Sequence, residues 1–395
     1  MKIKINPINM VFYFMIIPFL FPRGFFDYIP IYKSVYTIWL FVSIIVIYVI
    51  AFLRLLKKER ELNLQFLVSL IGYFLIMTFI TILIRNTFAD TLQKIFATPA
   101  LCFLCLNCLQ REPARFIKVS NNIVCIVFIL NTVLFNPWLW SQYFKPISNH
   151  LFFLGHVQVG AQFGILGIVL AFVEYFYYSS DKRRFVFQIS LALITMLMSF
   201  TSAAYIAIIF LIVFWLLNKT KLYRVFTLKS QYYIMFYLMI NVIILYIIYT
   251  GTDTFTILGF SLNGRGFIWK KAIESFLNSP IYGYGVHGVF IKVFWSSWTD
   301  NGLGMNYMHN QILQVLNDGG IVLFIPFIFL LNSALKKVNK ISDSSMRFWF
   351  ASLVLIVLII MTFESPMEYF YIFYVLCIYA YLPKQKLKNG DLKNE

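Results

Sequence analysis

The sequence predicts an all-α polytopic membrane protein of about twelve transmembrane helices, with one large extracytoplasmic loop that contains short interfacial helices. Three observations predict it. Of 395 residues, 61% are hydrophobic and only 12% charged, about half the charge of an ordinary soluble domain. Apolar runs of about 17–25 residues recur along the chain, the length a helix needs to cross hydrocarbon. The basic residues, finally, alternate in density from one connection to the next.

In chain order the spans fall near 8–22, 35–53, 63–84, 95–109, 119–136, 158–178, 185–199, 203–217, 232–250, 311–332, 348–363 and 369–382. Placing the N-terminus in the cytoplasm puts 24 of the 33 basic residues in inner connections. That bias is the positive-inside rule, so both termini are expected to be cytoplasmic. It also removes nucleic acid as a partner for the net charge of +17, because a nucleic-acid footprint gathers on one face. The first span lacks a small-x-small cleavage pattern and reads as a retained helix. The whole chain, 1–395, reads as one integral membrane domain, with 251–310 as its large outer loop.

Some features inside the spans carry alternatives. Cys102, Cys105 and Cys108 have a spacing that resembles an iron–sulfur ligand run, but free cysteine in an apolar helix packs as a small hydrophobe. The spans 185–199 and 203–217 are joined by only Phe200-Thr201-Ser202. Either two short helices meet below the surface there, with hydroxyls satisfying freed backbone groups, or small residues let two helices pack closely. Glu174 is the acid set well within a span and is expected to snorkel to the inner interface beside Lys182, Arg183 and Arg184.

The loop from Gly251 to Asn310 holds most of the reactive chemistry. Arg265 to Ser279 places Trp269, Ala272, Ile273 and Phe276 at helical spacing, between Asn263-Gly264 and Pro280. At about 22 Å such a rod is too short to span. It reads as an amphipathic helix in the outer interface, with Trp269 at headgroup level. Arg265 in its first turn is placed either to clamp an anion such as a diphosphate or to meet phospholipid headgroups. Pro280-Ile281-Tyr282-Gly283-Tyr284-Gly285 then turns sharply. His309-Asn310 opens the tenth span, where a neutral imidazole is either a general base for a hydroxyl or a helix-mouth cap. All four histidines, His150, His156, His287 and His309, fall in outer connections. Glu364 and Glu368 in the last outer turn read as solvated turn charges, or as a second acid or sugar contact. Asp253, Glu274 and Asp300 form no carboxylate pair at ligand spacing, so no metal and no cofactor are expected.

The ordered set Arg265, Trp269, Pro280, Gly283, Gly285, His309-Asn310 and Gly319 or Gly320 resembles the O-antigen ligase and O-antigen or capsule repeat-unit polymerase superfamily of membrane glycosyltransferases. The likeness covers about 60 residues. One element departs: Thr201-Ser202-Ala203-Ala204 lacks the arginine many members carry at that break, and Arg85 or Lys94 would have to replace it. The resemblance implies a GT-C-like fold in the bacterial plasma membrane and a metal-independent transfer at its outer face. The donor would be a glycan on undecaprenyl diphosphate, with a flippase and a chain-length regulator as further partners. For such a reaction Arg265 and His309 are the expected catalytic residues, and Trp269, Lys270, Tyr284, Asn310, Arg85 and Glu364 the expected substrate contacts. Polymerase is favoured over ligase, which differs only in its acceptor. A transporter or flippase of lipid-linked sugars predicts charged spans and repeats that the chain lacks.

Overall fold

The computed structural model describes residues 7–20, 23, 26, 29–56, 63–85, 93–134, 151–152, 154–220, 223, 228–251, 256–257, 260–261, 264–293 and 304–383. Both termini, Lys145, His150, Asp253, Asn263 and Asp300 lie outside these residues, as do the side chains of Arg85 and His156.

A helix occupies each of the twelve predicted span positions. These are α1 (Pro7–Leu20), α2 (Pro30–Leu56), α3 (Leu64–Arg85), α4 (Thr98–Arg111), α5 (Pro113–Leu134) and α6 (Val159–Val173). They continue as α7 (Lys182–Met198), α8 (Ser202–Asn218) and α9 (Ser230–Thr250). After the loop helix α10 (Arg265–Asn278) come α11 (Gln311–Leu335), α12 (Ser344–Phe363) and α13 (Phe370–Ala380). Among the described residues, seven helices are long and apolar enough to cross a membrane: α2, α3, α5, α6 with its π-helical extension to Ser179, α9, α11 and α12. The other five run 11–17 residues. The chain is a membrane protein. Two antiparallel ladders of two-residue strands, Leu151–Phe152 with Gly155–His156 and Thr256–Ile257 with Phe260–Ser261, modify the all-α expectation in connections predicted to be outer.

Burial follows from the sequence. Every residue of α6 and α13 is buried, and neither helix has a polar stripe to turn outward. The periphery carries Ile38, Phe41, Phe52, Phe79, Met235 and Val242 exposed, the surface expected of helices facing lipid tails. Contacts sort the connections into two ends. Asn63 bonds Ala380 and the Tyr381 hydroxyl, Ser230 bonds Asn339, and Ser345 bonds Asn218 at the end predicted to be inner. The connections predicted to be outer meet at the opposite end.

Three local structures shape that frame. At 199–201 the helices break as one of the two readings expects. Phe200 takes φ +49°, and the Ser199 hydroxyl donates to the Met196 carbonyl at 2.7 Å. Both readings hold, because Ala203, Ala204 and Ala207 of α8 are buried by close packing. Glu174 lies beside Arg184 as expected, with Arg184 Nε at 3.0 Å, but it is buried, because the Asn121 amide, itself held by Gln188, donates to it at 2.5 Å. Cys102 and Cys105 are buried on α4 beside Cys377 of α13, packed as small apolar groups.

The third local structure positions the site. Helix α11 breaks at Gly319 and Gly320, the latter at φ +59°. A break in a membrane helix must find partners for the freed backbone groups. The 280–284 turn supplies them. Ile321 N–H donates to the Pro280 carbonyl at 2.9 Å, Val322 N–H to Ile281 at 3.2 Å, and the Tyr284 N–H to the Asn317 carbonyl at 2.8 Å. The two backbones touch, so a methyl group at Gly283 would stand 2.5 Å from the Asn317 oxygen, and one at Gly320 would overlap the Ile281 carbonyl. The glycines of the motif are thus the surfaces by which the loop docks on α11.

Candidate functional site

Helix α10 begins at Gly264, whose φ of +78° only glycine adopts readily, and this turn presents Arg265 inward. The buried face is Arg265, Gly266, Ile268, Trp269 and Ala272. Trp269 does not present its ring to the surface, as an interfacial anchor expected from the sequence would. It is fully buried, and its indole N–H donates to the carbonyls of Met308 (3.0 Å) and His309 (3.2 Å). The indole therefore holds the strand of chain that carries the histidine. Replacing such an indole by alanine typically costs about 3–5 kcal/mol.

His309 itself has φ +51°, a conformation uncommon outside glycine. Asn310 fixes the next step. Its side-chain oxygen caps α11 by accepting from Leu313 N–H at 3.0 Å, and its amide donates to Asn241 (2.7 Å) and the Thr362 carbonyl (2.9 Å). Completely buried, Asn310 fixes the chain beside the histidine.

Arg265 and His309 converge on one carboxylate. Arg265 Nη2 lies 2.6 Å from Glu364 Oε1, and His309 Nδ1 lies 3.1 Å from Glu364 Oε2. The Tyr307 hydroxyl donates to Oε2 at 3.3 Å, accepts from Ser365 N–H at 2.9 Å, and the Tyr307 ring stands edge-on to the imidazole at 4.6 Å. Gln158 at the start of α6 reaches His309 Nδ1 at 3.4 Å. Glu364 has no exposed surface, so it is not the solvated turn charge that one reading expected. Its place is fixed by the end of α12, where the chain leaves the helix in extended conformation.

The electrostatics assign protons. Burial works against the Glu364 carboxylate, but the imidazole N–H and the Arg265 guanidinium together hold its pKa below the usual carboxylate range. Burial lowers the His309 pKa, and Glu364 only partly offsets that. At neutral pH the set is therefore guanidinium, carboxylate and neutral imidazole. An ionised Glu364 calls for the proton on Nδ1, which leaves the basic lone pair on Nε2. Arg265 keeps one further donor, since its Nε is buried without a hydrogen-bond partner among the described residues. Such a group costs about 1–3 kcal/mol until an acceptor reaches it.

Lys270 and Tyr284 bond to backbone carbonyls elsewhere. Lys270 Nζ donates to the Gly251 carbonyl at the end of α9 at 3.3 Å. The Tyr284 hydroxyl donates to the Ser275 carbonyl at 2.9 Å, tying the turn to α10. Arg85 closes α3, with its side chain outside the described residues. Lys94 is no stand-in for the missing arginine: it is buried between Glu368 Oε1 (2.5 Å) and Asp318 Oδ2 (3.4 Å). Sequence reasoning missed Tyr307, Gln158 and Asn241. Only Asn241 left a signal, an amide in the middle of an apolar span. Among the described residues no three His, Cys, Asp or Glu side chains converge as metal ligands.

No curated protein matches the chain. A family model described as O-antigen ligase does match, over residues 187–328, about a third of the chain from α7 to the middle of α11. That segment contains Arg265, Trp269, the glycine turn, His309 and the Gly319–Gly320 break, and ends before Glu364. The resemblance of this chain to the O-antigen ligase and polymerase superfamily is therefore borne out, over a segment that includes Arg265 and His309.

Proposed function

We propose that the chain polymerises oligosaccharide repeat units carried on undecaprenyl diphosphate, at the outer face of the bacterial plasma membrane. The observation that carries this reading is the convergence of Arg265 and His309 on the buried Glu364. Transfer breaks the bond between the anomeric carbon and the diphosphate oxygen and forms a bond to an acceptor hydroxyl oxygen. The acceptor proton goes to His309 Nε2, and the lipid diphosphate leaves with the bonding electron pair. Arg265 is suited to hold that diphosphate, since its Nε has no hydrogen-bond partner among the described residues and a fixed guanidinium stabilises growing negative charge. Glu364 aligns the imidazole and keeps the guanidinium in place, as the third member of a nucleophile–base–orienter set does elsewhere.

A ligase, which moves the glycan to a different acceptor such as a lipid A core, is the second reading. The matching family supports a function of the ligase or polymerase type and does not separate the two. Deleting the gene in its host and resolving the surface glycan on a gel separates the two. Single-repeat glycan is the polymerase result, long polymer stranded on carrier lipid is the ligase result, and an unchanged ladder removes both.

A guanidinium already in place supplies the charge a metal would otherwise provide. Activity is accordingly expected to persist in excess EDTA. Loss of activity that magnesium or manganese restores would contradict this mechanism.

A further inference from the structure

A second histidine–glutamate pair stands beside the first. His287 Nε2 lies 2.9 Å from Glu368 Oε2, and Glu368 follows Glu364 by one turn. Lys94 bridges Glu368 to Asp318, and Asp318 Oδ1 accepts from the His287 backbone N–H at 3.3 Å and from the Gln314 amide at 3.1 Å. Gln314 in turn accepts from Met308 N–H at 3.0 Å, the residue before His309. One hydrogen-bonded chain thus runs from His287 to the backbone N–H of Met308, next to the candidate base. Tyr307 and Tyr369 each feel both Glu364 and Glu368.

The arrangement is costly for a merely structural one. Burying a lysine with two carboxylates carries a desolvation penalty that apolar packing would avoid. His287 adds local strain, at φ +56°, in a turn with glycines at 283, 285 and 288 on either side. Strain and buried charge of this kind gather where a side chain must be aimed. His287 is also the open end of the network, with 27% of its side chain exposed against 6% for His309.

The chemistry of the pair defines what it takes. Burial opposes the Glu368 charge, but Lys94 and His287 hold that carboxyl down at about 2. An ionised Glu368 draws the imidazole proton to Nε2. That leaves Nδ1 as an acceptor, with no hydrogen bond to any described residue. The proton arrangement is the mirror image of His309, whose proton sits on Nδ1. One lysine against two carboxylates offers no surplus positive charge, so this cluster is unsuited to a diphosphate and suits a neutral polyhydroxylated ligand. Tyr282 and Phe290, neighbours of His287 along the chain, are more than half exposed, and aromatic rings of this kind stack on the apolar face of a sugar.

We infer that His287, aligned by Glu368, is the acceptor subsite, with its Nδ1 accepting a hydrogen bond from a hydroxyl of the incoming glycan. The inference rests on the proposed function for the word acceptor, though binding of a neutral glycan there stands by itself. His287 is then a binding residue, and His309 keeps the proton transfer.

The test uses the full-length purified protein and diethyl pyrocarbonate, with carbethoxylation mapped by mass spectrometry. Neutral oligosaccharide released from the host's own surface polysaccharide should slow modification of His287 about fivefold or more, and undecaprenyl diphosphate alone should not. An unchanged rate, or equal protection by the lipid diphosphate, overturns the subsite. In turnover, His287→Ala should raise the acceptor KM about tenfold, with kcat within about threefold and the donor KM unmoved; His287→Gln should recover part of the loss. A collapse of kcat at constant acceptor KM would make His287 structural or catalytic instead. If wild-type protein forms no glycosidic bond, the proposed function fails, and the protection experiment still decides the subsite.

Discussion

Arg265→Ala is expected to lower turnover of lipid-linked glycan by about 10²–10³-fold, the usual loss when one preorganised donor to a developing anion is removed. The effect should fall on kcat as well as on donor KM, because the interaction strengthens as the diphosphate departs. Arg265→Lys is expected to recover little. A lysine keeps the charge but cannot hold Glu364 through one nitrogen and present another to the diphosphate. The variant should still fold and insert, since the face of α10 that docks is anchored by Trp269 and Ile268. Rates and KM values for the two variants, beside their elution profiles in detergent, check this result.

His309→Ala should cost about 10²–10⁴-fold in kcat, the range for a positioned general base. Its pH behaviour follows from the geometry. The base works as neutral imidazole, so the rate rises as pH passes upward through its pKa and then levels. Burial lowers that pKa, which places the acid limb below the ordinary histidine range of about 6.5 and the plateau at neutral pH. Glu364→Gln removes the partner that raises it, and the limb should move to still lower pH while kcat falls. A limb at the wild-type position in Glu364→Gln would show that His309 is not the titrating group. Combining His309→Ala with Glu364→Gln should cost less than the product of the two separate losses, because the carboxylate acts in part through the imidazole and in part through Arg265.

Much of the fold is legible in the residues themselves. Span length and apolar content place twelve helices, and the hydroxyls at 199–202 mark a real break. The motif is legible too, but its parts divide by role in a way spacing does not reveal. Arg265 and His309 face one another, while Asn310, Trp269 and Tyr284 hold them in place. An amphipathic wheel finds the buried face of α10 but not what buries it, so Trp269 reads equally as a headgroup anchor or as a core indole. Glu364 is the least legible member. It lies 55 residues from His309 and 99 from Arg265, and nothing local separates it from a solvated turn acid. The same distance hides Lys94, whose carboxylate partners come from α11 and the last outer turn. Charge pairs between remote segments are fixed by the packing of helices, and packing is what a single sequence shows least.

The most direct measurement places the purified chain in lipid vesicles with the undecaprenyl-diphosphate-linked repeat unit and follows glycosidic bonds and released lipid diphosphate together. Wild-type protein should yield both in equal amounts, and Arg265→Ala and His309→Ala should yield neither above background. Equal rates in the wild type and the two variants, or no glycosidic bond from the wild type at all, would contradict the account.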